Sequence, residues 1–279
     1  MGGFTLDDIL ATRKPRDSWW TVFAVDPVAC RLALLTANHT SITPNGLTGL
    51  SMLLGGASAA CFAAGELAAG AALFYLSFTV DCMDGKIARL KGSGTSFGLW
   101  LDYVGDRVRV AGCAFGFAFG EGTLWALWLA AGIVVLDLFR YVNGPQLLKV
   151  REASRDRVRA ATGGDPVFVE DVLLADPLAD VRDESVVDLQ SAFRRRFPWF
   201  DRFRLFLARH RVRTHLMSGI EFHAAIFVVA PLFGAAAMLW SALATGALLA
   251  AFEAALVYRT WLAAREADRV VPERVKVLV

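Results

Sequence analysis

The chain has 279 residues, 56% of them hydrophobic and 20% charged, with a mean hydropathy of +0.46 and a formal net charge of +2. This excludes a water-soluble globule of ordinary composition, in which about 45–50% of residues are apolar and about 25% charged. The near-neutral total says little; the placement of the 29 Lys and Arg and the 27 Asp and Glu is what carries information.

In chain order, the first 30 residues carry Asp7, Asp8, Arg13, Lys14, Arg16 and Asp26 and no long apolar run, so they do not read as a cleavable signal peptide. Residues 1–40 are expected to form a cytoplasmic and juxtamembrane segment, with 27–38 a weaker candidate for an interfacial helix. No formally charged residue falls between Arg31 and Glu66, and the 19 residues 46–64 suffice for a first membrane span, since about 20 residues at about 1.5 Å each cross the hydrocarbon. Residues 67–80 are apolar but number only 14, so a second span must run on through Asp81 and Asp84 to about Leu90. A third, 96–119, holds Asp102, Asp106, Arg107 and Arg109 in its first half, and a fourth covers 122–141. The 29 uncharged residues 224–252 are too many for one untilted span; Pro231 and Gly234 divide them, giving spans at 218–234 and 237–261. The fold class is therefore an all-α polytopic membrane protein with six transmembrane helices, four within 41–143 and two within 218–262.

The short connections at 65–67, 120–122 and 234–236 contain no Lys or Arg. The N-terminal segment, 85–95, the insertion 144–217 and the tail 263–279 hold nearly all of them, which places both termini and every long loop on the cytoplasmic side of the cell membrane. A five-span chain would put Arg265, Arg269, Arg274 and Lys276 on the other side. Within the insertion, 165–188 carries eight acids and one Arg and reads as an acidic loop, whereas 193–213 carries eight Arg and one Asp among six Phe and Trp and reads as a basic interfacial helix. Cys30, Cys61, Cys82 and Cys113 form no CxxC pair and read as reduced thiols.

The chemistry concentrates where spans two and three meet the cytoplasm. By helical spacing Asp81, Asp84, Gly85 and Ala88 share one face, and Gly98, Asp102 and Asp106 form a stripe on the next helix, so four carboxylates can converge. An ionised group at membrane depth costs about 2.5–3.5 kcal/mol even on insertion scales, so positive charge must sit among them. Ordinary ion pairs with Arg89, Arg107 and Arg109 fall one charge short and leave Gly85, Ala88 and Gly98 unexplained. Two divalent cations, Mg2+ or Mn2+, match four hard oxygen ligands, and the small residues leave room for a phosphate-bearing ligand.

The pattern D-x2-D-G-x2-A-R-x8-G-x3-D-x3-D, filled by Asp81, Asp84, Gly85, Ala88, Arg89, Gly98, Asp102 and Asp106, resembles the signature of the CDP-alcohol phosphatidyltransferases. Thr43-Pro44-Asn45-Gly46-Leu47-Thr48 resembles that family's Pro-Asn-x-x-Thr element. The resemblance covers 45–145 well, the last two spans in outline, and the insertion not at all. It implies transfer of a phosphoalcohol group from a CDP-alcohol, commonly CDP-diacylglycerol, to a hydroxyl acceptor, with release of CMP, and it implies a homodimer. It assigns Asp81, Asp84, Asp102 and Asp106 to the metal ions, with Asp106 also the general base. Asn45, Thr48, Gly85, Ala88, Arg89, Thr95 and Gly98 fall to the CDP-alcohol.

Acceptor-binding candidates are Arg140, near the end of span four, and Arg213, His215 and Glu221 around the start of span five, where arginines could grip an acceptor phosphate. Two rival readings stand beside this one: a water-soluble CDP-alcohol donor giving a product other than a phospholipid, and a cation transporter. A transporter usually has broken helices at midplane, whereas these acids sit at the ends of adjacent spans. No P-loop or dinucleotide-binding glycine motif is present and no nucleic-acid partner is indicated.

Overall fold

A computed structural model describes residues 3–176, 178–179 and 186–278, of which 272–278 are described as backbone only. The elements are helical: α1 (Leu6–Ala11), α2 (Thr21–His39, opening on a π turn), α3 (Pro44–Ala63), α4 (Leu67–Lys91), α5 (Ser96–Glu121), α6 (Leu124–Thr162), α7 (Val169–Ala175), α8 (Ser191–Arg196), α9 (Trp199–Arg209), α10 (Gly219–Phe233) and α11 (Ala235–Leu278). Helix α10 passes from α through π to 3-10 geometry before Gly234. The one β-bridge among the described residues joins Phe168 and Val187.

Among the described residues, five helices are long and apolar enough to cross a membrane, α2, α3, α4, α6 and α11. Four of the six spans expected from sequence, α3, α4, α6 and α11, are among these five. Helix α5 is present over 26 residues, but its charged first half keeps it out of that set, and α10 has only 15 residues. Helix α2, which reads from sequence as at most interfacial, joins the set. The apolar surface agrees with a lipid environment: Leu53 is 74% exposed and Trp128 71%, which a water-facing surface rarely tolerates in such number.

The chain divides into two compact units, Met1–Leu138 with Leu216–Leu249, and Phe139–His215 with Ala250–Val279; α6 and α11 contribute to both. In the first unit α3 packs against α4 and α5, and α4 against α2. Its main core gathers Phe62, Phe74, Phe117, Phe222, Phe227 and Met238, and a second core joins α1, α2 and α4 through Ile9, Val25, Ala29, Met83 and Ile87. Lys86 and Asp26 form a buried ion pair there at 2.8 Å.

In the second unit Val158, Phe168, Val187, Leu189, Ala263 and Ala267 pack together. The expected acidic loop contains α7; its residues 177 and 180–185 lie outside those described. The expected single basic helix is two, α8 and α9, because Pro198 lacks the N–H that would carry the first into the second. Both α6 and α11 extend beyond the apolar runs that define spans four and six, to Thr162 and Leu278. All four cysteines are free thiols.

Candidate active site

Two helix starts frame the site, and both are set by threonine caps. Thr43 Oγ1 accepts from Gly46 N at 3.1 Å, with Pro44 in the first turn of α3, and Thr95 Oγ1 accepts from Gly98 N at 2.9 Å at the start of α5. Each side chain satisfies one of the four backbone donors a helix leaves unpaired. Gly98 brings the two starts together: a Cβ there would lie 2.5 Å from Asn45 Oδ1 and 3.0 Å from Thr95 Oγ1. Asn45, Thr95 and Gly98 thus share one corner of the site. At the far end of α4, Gly92 adopts φ +60 and closes the helix onto the Ala88 carbonyl. Arg89 lies over Gly85, its Nη1 3.4 Å from where a Cβ would be, and donates from Nε to the Thr12 carbonyl at 2.6 Å.

Asp81 on α4 and Asp102 and Asp106 on α5 each offer an oxygen, all within 4.8 Å of one another. Asp84, expected as the fourth member, lies outside this group; Thr48 Oγ1 sits 2.5 Å from its Oδ2 and 3.1 Å from the Pro44 carbonyl. The convergence is therefore three acids, with Asp84 anchored beside them.

Positive charge does sit among the acids. Arg109 is 7% exposed; Nη2 donates to Asp106 Oδ1, while Nη1 lies 2.9 Å from Ser51 Oγ, 3.1 Å from Ser77 Oγ and 3.6 Å from Asp81 Oδ1. Arg107 Nη2 approaches the other Asp106 oxygen at 3.4 Å, and its Nη1 holds Asp137. Of the three arginines considered for ion pairing, Arg89 has no ion-pair partner among the described residues. Asp102 has no ion-pair partner among the described residues. Two guanidinium groups cannot neutralise Asp81, Asp84, Asp102, Asp106 and Asp137 together, and three convergent hard oxygen donors suit a divalent ion such as Mg2+ or Mn2+.

Asp137 is a member of the site that the sequence reading misses. It is 2% exposed on α6, with His223 Nε2 at 2.9 Å from Oδ1 and Arg107 on Oδ2. The available signal is a lone acid inside an otherwise apolar span, where ionisable residues are rarely idle.

Of the acceptor candidates, Arg140 and His215 gather in the second unit around Glu253, which is 4% exposed. Asn143 Nδ2 donates to Glu253 Oε2 at 2.8 Å, and Arg140 Nε and His215 Nε2 stand 3.9 and 3.8 Å from Oε1. Glu253 thus faces both Arg140 and His215. Burial, with Arg140 and Arg213 adding like charge, pushes the His215 imidazole down to about 4. Glu221 instead caps a helix. Ser218 N donates to its Oε2 at 2.9 Å and Ser218 Oγ to the same oxygen, a capping box that opens α10.

Fold and site define a helical protein with several helices apolar enough to cross a membrane and three convergent carboxylates that could hold a divalent ion. Residues 41–161 match the family model of the CDP-alcohol phosphatidyltransferases. Over 84 residues it is 37% identical to an archaetidylinositol phosphate synthase of Methanothermobacter thermautotrophicus, covering 30% of this chain and 39% of the relative. Over 107 residues it is 35% identical to a phosphatidylinositol phosphate synthase of Corynebacterium glutamicum, covering 37% and 43%. A phosphatidylinositol phosphate synthase of Mycobacterium marinum is 36% identical over 94 residues, covering 33% and 36%. The chain thus spans about two fifths of the length of the curated relatives it matches.

Proposed function

We propose that this chain transfers the phosphatidyl group of CDP-diacylglycerol to the hydroxyl of a phosphorylated polyol, inositol phosphate foremost, with release of CMP. The observation that carries the reading is the convergence of Asp81, Asp102 and Asp106 within the segment matched by the family model. The relatives' names supply the acceptor class, and all three name phospholipid synthases, which favours a lipid donor over a water-soluble one.

Asp81, Asp84, Asp102 and Asp106 would hold two divalent ions, whose contribution is to stabilise negative charge on the diphosphate and on the departing CMP. Asn45, Thr48, Thr95 and Gly98 face the nucleotide from the starts of α3 and α5, with Gly85, Ala88 and Arg89 along α4. The acceptor oxygen attacks the phosphorus that bears the lipid arm, the bond from that phosphorus to the CMP oxygen breaks, and the hydroxyl proton passes to a carboxylate, assigned to Asp106. General-base help of this kind is worth about 10²- to 10⁴-fold. Both Asp106 oxygens face arginines, and each keeps a lone pair with which to accept the proton. Arg140 and Arg213, with neutral His215 beside them, would grip the acceptor phosphate. We place the site and both termini on the cytoplasmic face of the cell membrane, from the distribution of Lys and Arg, and read the working form as a homodimer.

The test is a CMP-release screen of purified protein with CDP-diacylglycerol against inositol phosphate, glycerol phosphate, serine and inositol. The expected outcome is release that depends on a phosphorylated acceptor, with an organic-extractable product. Release only from a water-soluble CDP-alcohol, with no new lipid, would overturn the donor assignment.

A further inference from the structure

The least expected group in the carboxylate cluster is Arg109, and the chain has built a cradle for it. Two helices, α3 and α4, contribute. Ser51 on α3 and Ser77 on α4 bind the same guanidinium nitrogen at 2.9 and 3.1 Å. The rings of Phe74 and Phe78 lie 5.7 and 5.8 Å from its central carbon, within reach of a cation–π contact. Gly55 leaves the space its stem occupies: a Cβ there would fall 2.9 Å from Arg109 Cγ. The guanidinium is thereby fixed against Asp106 and 3.6 Å from Asp81, two of the three convergent acids. A surface ion pair needs none of these devices.

We propose that Arg109 is a resident cation of the cluster, supplying part of the positive charge the acids require, so that the site takes one divalent ion without nucleotide and a second only with the diphosphate of the donor. This rests on the reading of the acids as a metal site. The charge balance favours the ordered filling. Asp81, Asp84, Asp102 and Asp106 bring four negative charges; Arg107 is matched by Asp137, and Arg109 cancels one of the four. A single divalent ion then leaves the site one charge short of neutral, while a second alone would leave it positive inside a low-dielectric helix bundle. The two negative charges of a diphosphate make that second ion welcome. Without Arg109, two divalent ions would balance the four acids before any nucleotide arrived, and the first would bind without a neighbouring guanidinium repelling it.

The experiment titrates the purified full-length chain in detergent, stripped with chelator, with Mn2+ alone and with Mn2+ plus CDP, following free Mn2+ by electron paramagnetic resonance. Wild type is expected to bind one tight Mn2+ per chain, and two when CDP is present. Arg109→Gln is expected to bind the first ion at least tenfold more tightly and to take two ions without CDP, whereas Arg109→Lys, which keeps the charge, follows wild type. Two tight ions on wild type without CDP would overturn the proposal, and this arm decides even if Arg109→Gln does not fold. Unchanged affinity and stoichiometry in folded Arg109→Gln would overturn it as well. Asp102→Asn separates the role of Arg109 from the metal site itself. If Asp102→Asn loses Mn2+ while Arg109→Gln matches wild type, only the role of Arg109 falls; if wild type binds no Mn2+ in either condition, the metal reading falls with it.

Discussion

His223 Nε2 lies 2.9 Å from one oxygen of Asp137, and Arg107 holds the other. Asp137 thus joins a histidine of α10 to an arginine of α5 from its own place on α6. Because Arg107 also reaches Asp106, this buried pair steadies one of the acids of the proposed site. Removing one partner of a buried charge network leaves the others uncompensated, typically at a cost of about 3–5 kcal/mol. Asp137→Ala should therefore lower the thermal stability of the detergent-solubilised protein by a loss in that range. His223→Gln, which can retain a donor near Nε2, should cost clearly less. Equal losses from the two would contradict the network.

How much of the site is legible in the sequence depends on whether partners are near or far along the chain. The acids of α4 and α5 are legible because spacings of three and four residues place them on single helix faces. The Ser218–Glu221 box is equally local, yet Glu221 reads from sequence as an acceptor ligand, because its charge within a span draws more notice than its distance from Ser218. Asp137 has its partner 86 residues away, and no periodicity connects the two. The same holds for Arg140 and Glu253, and for Arg109, whose cradle is assembled from α3 and α4. The charge carried by α5 is visible in the sequence, but whether its acids pair with arginines or meet one another is a question of side-chain packing that spacing does not answer.

A pH dependence follows from His215. Burial together with Arg140 and Arg213 pushes its imidazole down to about 4, from an ordinary value of about 6.5. The folded state then favours the neutral ring, and the unfolded chain binds the proton more readily. This contribution to stability is present in full above about pH 6.5 and is lost as the pH falls toward 4. Glu253, whose Oε1 stands 3.8 Å from His215 Nε2, opposes the shift, but burial and the two arginines outweigh it. The stability difference between wild type and His215→Asn, measured by unfolding across this window, should change as acid is added; a difference that stays flat would contradict the assignment.

Two glycines of α5 separate close packing from incidental packing. At Gly116 a Cβ would meet the backbone of Ala59, with the carbonyl carbon 3.2 Å away, so α3 and α5 would have to move apart. At Gly105 it would meet the flexible end of Met52, with Sδ at 3.2 Å, which can swing aside. Gly116→Ala should destabilise by about 1–3 kcal/mol and Gly105→Ala by less than about 1 kcal/mol. Melting curves that rank the two variants the other way would contradict this packing.

The metal site is probed most cleanly at Asp102. Asp106 is a less clean target than its assigned role makes it seem, because Asp106→Asn also takes away a partner of the buried Arg109. Asp102 belongs to the convergent acids but has no ion-pair partner among the described residues, so without bound ions it contributes chiefly repulsion. Divalent-dependent CMP release from CDP-diacylglycerol and thermal stability should be measured together on Asp102→Asn. The expected result is a protein at least as stable as wild type in chelator, with transfer reduced by about a thousandfold or more, about 4 kcal/mol of lost transition-state stabilisation. A folded Asp102→Asn protein with near-wild-type CMP release, or wild-type release undiminished in excess chelator, would contradict the assignment of these acids to divalent ions.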